Sequence, residues 1–246
     1  MKRIFYSLVI SVLFASSTVY AKEGAHWGYE SQNGPSHWGQ MSPDYYLCGK
    51  GKNQSPVNLS NFVDAKLPQL NIDYNTRGKE IVNNGHTIQV NYENGSTITI
   101  DNHRFALLQF HFHSPSENRI NGKSYPLEGH FVHADKDGNL AVISVLYEEG
   151  KSNPALGRIW QQMPERAGEK KTLAGNVVAL DIMPKTNDYY FFNGSLTTPP
   201  CTEGVRWYVL KQPVSISKQQ IKKFTKVIHH PNNRPVQPLD SRLVLQ

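Results

Sequence analysis

The chain has 246 residues, 38% hydrophobic and 19% charged, with a formal net charge of +6, which is ordinary globular composition. Its length suits one large domain, since β-rich units often reach that size, and the body of the chain has nothing near the roughly 20 apolar residues of a membrane span. The basic residues concentrate between Lys218 and Lys226 at helical spacing, which reads as the solvated face of a surface helix and not as a nucleic-acid surface.

At the start, Lys2 and Arg3 precede a mostly apolar run, and Val19 and Ala21 place small residues where a signal peptidase reads. Residues 1–21 are therefore expected to be a secretory signal peptide, leaving residues 22–246 as an exported chain, periplasmic or secreted, without a stable membrane anchor. Export implies oxidising surroundings, so Cys48 and Cys201, the two cysteines present, read as one disulfide.

From residue 22 to about residue 79 the chain is rich in Gly, Pro, Asn and Ser without sustained periodicity, and reads as an irregular wrap anchored by Trp27 and Trp38. Strand patterns follow at 88–92 and 96–100, joined across Glu93, Asn94 and Gly95 as a hairpin. Further strands are expected at 105–113, 129–133, 141–147, 177–181, 189–193 and 205–210. Ser152 is the expected cap of a helix running through Met163, with Pro154 in its first turn. Ser217 and Gln220 form a capping box before Ile221, Phe224 and Ile228.

Among ten histidines, one stretch stands apart: Gln109-Phe110-His111-Phe112-His113. Strand side chains alternate faces, so His111 and His113 project together while Phe110 and Phe112 face an apolar layer. The run from Leu127 to His133 offers His130 from a neighbouring strand. Three neutral imidazoles make a zinc site with one open position, the catalytic arrangement. Alone, His-x-His also fits a pair of surface residues. His133 falls off the His130 face and reads as a packed or hydrogen-bonded core histidine.

The wider pattern is more specific. His26-Trp27-Gly28-Tyr29, Asn33-Gly34-Pro35-Ser36-His37-Trp38, Gln54-Ser55-Pro56-Val57, Asn83-Asn84-Gly85-His86, the His111 stretch, Ser116-Glu117, Glu128 to His133, and Gly194 to Pro200 followed by Val205-Arg206-Trp207 occur in one order. Over essentially the whole mature length the chain resembles the alpha-class carbonic anhydrases, with Ser114-Pro115, Cys48 and Cys201 closer to exported bacterial members.

That resemblance implies a mainly β (α+β) single domain with a large, twisted, mostly antiparallel sheet and short surface helices. It implies Zn2+ held by His111, His113 and His130, with Gln109 and Glu128 orienting the ligands. Thr197 would direct the nucleophile with Glu117 as its proton acceptor, and Thr198 would touch bicarbonate. Val132, Val142, Leu196, Val205 and Trp207 would wall an apolar pocket for carbon dioxide, and His86 would shuttle the proton. Gln89 and Asn118 depart from the common pattern. Ester hydrolysis is an expected side activity, and some exported relatives form homodimers, although no residue here singles out an interface. A binding domain that kept the fold without catalysis is the rival reading; such relatives lose a ligand histidine, and this chain keeps all three.

Overall fold

The strands, in chain order, are β1 Asn58–Leu59, β2 Asn71–Asp73, β3 Gly78–Asn83, β4 Ile88–Tyr92, β5 Thr97–Ile100, β6 His103–His113, β7 Arg119–Ile120, β8 Leu127–Ala134, β9 Leu140–Glu149, β10 Lys170–Thr172, β11 Tyr189–Ser195, β12 Glu203–Leu210 and β13 Val214–Ile216. Helices are few: α1 Trp38–Met41, α2 Tyr46–Lys50, α3 Pro154–Trp160 and α4 Lys218–Ile228. This computed structural model describes residues 26–246; the expected signal peptide, residues 1–21, lies outside the described residues. No helix among them is long and apolar enough to cross a membrane.

One mixed sheet of 11 strands dominates, with the spine β10-β3-β4-β6-β8-β9-β12-β11. Its ladders are antiparallel except where β12 and β13 run parallel to β9. The long central strands lie buried among the others, so β9 reads as a near-continuous apolar run from Ala141 to Tyr147.

A bulge sets the phase of β6. Its register against β8 slips between Leu107 and Gln109, leaving Leu108 46% exposed. Phe105 and Leu107 before the slip, and Phe110 and Phe112 after it, therefore all enter the same core. Gln109, His111 and His113 are left on the opposite face. Beneath the phenylalanines, Trp160 of α3 and Phe224 of α4 stack with their rings 5.6 Å apart. The Ser217–Gln220 capping box forms as expected, and Lys218, Lys222, Lys223 and Lys226 stay exposed.

Several expectations need correction. Strands β4 and β5 do not form a hairpin; both lie antiparallel to β6, end to end along one edge. The hairpin is β5–β6, closed by Asp101 and Asn102 with φ of 48° and 59°. A two-residue turn with both central residues left-handed matches the strand twist, and Asp and Asn tolerate that backbone. The expected strand at 177–181 is instead a 3-10 turn, Ala179–Ile182. There the Tyr92 hydroxyl accepts the Ala179 N–H at 2.7 Å, replacing a ladder partner. The cap of α3 is Asn153, whose side chain accepts the Leu156 N–H, and the helix stops at Trp160. The early segment carries α1, α2, β1, β2 and the start of β3. Trp38 anchors it, fully buried, with its indole donating to Gly28 O and Asn33 O, both at 2.9 Å.

His133 is a core residue as expected, fully buried with Nε2 2.7 Å from the Tyr74 hydroxyl and Nδ1 3.2 Å from Ala141 O. Burial pushes its pKa down to about 3. The unfolded chain takes up that proton near pH 6.5 and the native chain does not, so stability falls as pH drops from 6.5 towards 3. The full shift is worth up to about 5 kcal/mol. Urea unfolding across that range is expected to show the loss, and His133→Gln to flatten it; an equal slope in both proteins would refute the assignment.

Candidate active site

The β6–β8 register sets His111 directly opposite His130, and His113 follows on the same face of β6. The ring centroids lie 5.0 Å apart for His111 and His113, 5.3 Å for His111 and His130, and 4.6 Å for His113 and His130. One nitrogen from each ring falls within 4.8 Å of the others.

The outward nitrogens are all engaged. His111 Nδ1 meets Gln109 Oε1 at 2.8 Å, His130 Nε2 meets Glu128 Oε1 at 2.9 Å, and His113 Nδ1 meets the Asn232 carbonyl at 2.6 Å. Each partner oxygen accepts only, so each outward nitrogen carries the hydrogen and the three inward nitrogens present lone pairs to one point. His113 Nε2 is buried with no hydrogen-bond partner. Burial and the two neighbouring histidines hold His111 well below its ordinary pKa, and burial lowers His113 as well. The converging lone pairs and the orphaned nitrogen suit a tetrahedral zinc ion with one open position.

Glu128 is fully buried. Its Oε2 accepts the N–H groups of Glu117 at 2.7 Å and Asn118 at 2.8 Å, and its Oε1 accepts from Asn118 Nδ2 and Ser144 Oγ as well as His130. Burial raises its pKa, but the His130 ring and these donors outweigh that and bring it to about 2. Asn118 thus serves the site through Glu128, while its Oδ1 accepts the Val57 N–H at 3.1 Å.

Glu117 differs. Burial pushes its carboxyl up to about 7, against the His130 ring, the Arg234 N–H and the Thr197 hydroxyl. The Arg234 N–H donates to Oε1 at 2.8 Å, whereas Oε2 has no partner of strict hydrogen-bond geometry and lies 3.6 Å from His113 Nε2. The nearby Thr197 hydroxyl favours the ionised carboxyl. A divalent cation among the three histidines would favour it further.

Thr197 and Thr198 stand on the loop between β11 and β12. Ser55 and Ser195 tie its root by reciprocal bonds of 2.9 and 3.1 Å, and the Cys201 N–H donates to Thr198 O at 2.8 Å. Cys201 is joined to Cys48 by a disulfide spanning 153 residues of sequence.

Thr197, Thr198 and the three histidines line a cavity of about 170 Å³. Its apolar wall contains Val132, Val142, Leu196 and Trp207. Val132 pairs with Val142 and Val142 with Trp207 across three adjacent strands. Val205 is placed otherwise: it is 1% exposed in the apolar cluster behind that wall and does not line the cavity. Strand alternation puts Val205 on the same face as Trp207, but Leu196, from the loop after β11, lines the cavity and Val205 does not.

His86 stands half-buried at the mouth. Asn84 Oδ1 accepts the His86 and Thr87 N–H groups at 2.9 and 2.8 Å, which fixes the turn. The imidazole stacks on Trp27 with centroids 3.7 Å apart and planes 9° from parallel. Trp27 is therefore a cavity wall as well as an anchor. Burial first, then His26 and His230, lower the His86 pKa.

Two contributors escaped the sequence reading. Asn232 acts on His113 through a backbone carbonyl, which no residue type announces. Arg234 is 1% exposed, its guanidinium donating to Gln54 Oε1, Ser55 O and Cys48 O at 2.7 to 2.9 Å; a buried arginine so far along the chain gives no local signal.

Comparison with known proteins gives a consistent picture. A family model described as eukaryotic-type carbonic anhydrase matches residues 33–246. The chain is 48% identical to a carbonic anhydrase of Pectobacterium carotovorum over 239 residues, 97% of each chain. It is 50% identical to a carbonic anhydrase of Neisseria gonorrhoeae over 222 residues, 90% of this chain and 88% of that one. Among solved structures, the alpha-carbonic anhydrase of Thermovibrio ammonificans in complex with sulfanilamide is 49% identical, with a TM-score of 0.89 over 91% of this chain and all of that one.

Proposed function

The chain belongs to the eukaryotic-type carbonic anhydrase family and is a carbonate dehydratase, and from that premise we propose that it hydrates carbon dioxide with Zn2+ held by His111, His113 and His130. The observation that carries this reading is the buried, partnerless Nε2 of His113 facing the free nitrogens of two rings whose other nitrogens are already bonded. A bound zinc ion supplies Lewis acidity, lowering the pKa of water at its open position from 15.7 to about 7 so that a hydroxide nucleophile exists at neutral pH.

The remaining work falls to side chains. Gln109, Glu128 and the Asn232 carbonyl fix the ligand tautomers. Thr197 Oγ1 gives its proton to Glu117 Oε2 and is left as an acceptor, so the attacking oxygen must donate to it and aim a lone pair at carbon. Val132, Val142, Leu196 and Trp207 offer carbon dioxide an apolar wall that water does not compete for, and Thr198 holds bicarbonate before release. His86, neutral near pH 7, takes up the released proton on a ring nitrogen through bridging water. The same nucleophile would hydrolyse small esters as a side activity, limited by the roughly 170 Å³ cavity. Residues 1–21 direct export to the periplasm or beyond and are removed, leaving residues 22–246 as the mature enzyme.

Stopped-flow carbon dioxide hydration is expected to disappear on zinc chelation and return with added Zn2+; a rate indifferent to chelation would overturn the zinc reading. His86→Ala is expected to lower kcat by up to about 10²-fold with kcat/KM unchanged, and added imidazole to restore part of it. Unaltered turnover without rescue would remove His86 from the role.

A further inference from the structure

The segment after α4 brings a further histidine to the cavity mouth. His229 ends the helix in left-handed backbone, φ 69°, with its N–H bonded to Thr225 O at 2.8 Å, and the chain turns there. Three residues on, Asn232 is fully buried and held on several sides. Its carbonyl accepts from His113, its Oδ1 accepts the Ser114 N–H at 2.8 Å, and its Nδ2 donates to the carbonyls of Phe112 and His86, both at 2.9 Å. His230 lies between the helix cap and this anchor, so its backbone is fixed relative to both the ligand strand and the His86 turn.

The rings are arranged accordingly. His230 lies 5.8 Å from the Tyr29 ring, and Tyr29 lies 6.4 Å from His86. His26 stands 6.4 Å from His86. Trp27 covers one face of His86 and so fixes the plane in which its ring nitrogens exchange a proton. Among the described residues the histidines paired with a carboxylate are His103, His113 and His130, and none of His26, His86 and His230 forms such a pair. His230 Nδ1 faces the Pro231 carbonyl at 3.1 Å.

We propose that His26, which stands directly beside His86, and His230, across Tyr29, are parallel outlets that receive the proton from His86 and deliver it to buffer bases in solution, making the mouth a three-histidine relay centred on His86. The N–H bond on His86 breaks as one forms on His26 or His230 through bridging water, and the receiving ring then loses its proton to a dissolved base. Both groups are imidazoles, so the exchange needs little driving force. Besides burial, the proximity of His26 and then of His230 disfavours a proton resting on His86. The proposal rests on His86 being the first acceptor.

His230→Gln, His26→Gln and His86→Ala enzymes would be compared by stopped flow in weak buffer and in concentrated imidazole. His230→Gln is expected to lower kcat about threefold in weak buffer, less than His86→Ala because His26 remains. Its kcat/KM should be unchanged, imidazole should restore kcat, and adding His26→Gln should deepen the loss. In a histidine NMR titration of the His230→Gln protein, the His86 midpoint should rise, because a like charge has gone. If His86→Ala loses rescuable turnover while His230→Gln matches wild type in every buffer, the relay is wrong and the shuttle reading stands. If His86→Ala is also silent, the shuttle reading itself fails, and the relay with it.

Discussion

His113→Ala is expected to yield a folded protein with no stoichiometric zinc and no carbon dioxide hydration above the uncatalysed rate. Of the three proposed ligands, His113 is the one whose inward nitrogen is buried without any other partner. Two histidines cannot close a catalytic zinc site that needs three protein ligands. The fold should survive, because the β6–β8 ladder does not depend on this side chain. The cost is an unpaired Asn232 carbonyl, about 1–3 kcal/mol, with the cavity adding to it. Metal analysis, a thermal melt and stopped flow on the same preparation separate the effects. Stoichiometric zinc with intact turnover would dismiss His113 as a ligand.

Much of this centre is legible in the chain because alternation along a strand is a local rule. His111 and His113 share a face by spacing, and Gln109 lies two residues before His111 on that same face. Glu128 and His130 repeat the relation on β8. What is not legible is whatever depends on a distant partner. The bulge at Leu108, which decides that these imidazoles and not the phenylalanines face the cavity, is defined against β8. The Asn232 carbonyl, 119 residues from His113, becomes an acceptor through position alone. The same limit explains the misplaced hairpin. Asn94-Gly95 is the stronger local signal, yet β6 pairs with β4 and β5 in succession, and Asp101-Asn102 makes the turn. Residues 177–181 are apolar enough for a strand, but a tyrosine hydroxyl from β4 reaches their backbone first.

Glu117→Gln should retain zinc and yet lower kcat/KM by about 10²–10³-fold. Glutamine is nearly isosteric, so the change tests hydrogen-bond polarity more than shape. In the native chain the Arg234 N–H donates to Oε1 at 2.8 Å, and that donor does not move. The amide must therefore turn its oxygen towards Arg234, which points its NH2 group at Thr197. An ionised carboxylate only accepts, whereas this NH2 group only donates. Thr197 Oγ1 would then receive a hydrogen bond where the proposed mechanism has it give one, and its own proton would swing into the cavity. The attacking oxygen meets a donor in place of an acceptor, and its lone pair is drawn towards Thr197 and away from carbon. Removing the hydroxyl by Thr197→Ala should cost a comparable factor by losing the orientation outright, while Thr197→Ser, which keeps the hydroxyl, should stay close to wild type. A Glu117→Gln enzyme with full metal content and wild-type kcat/KM would show that Thr197 orients the nucleophile without help from Glu117.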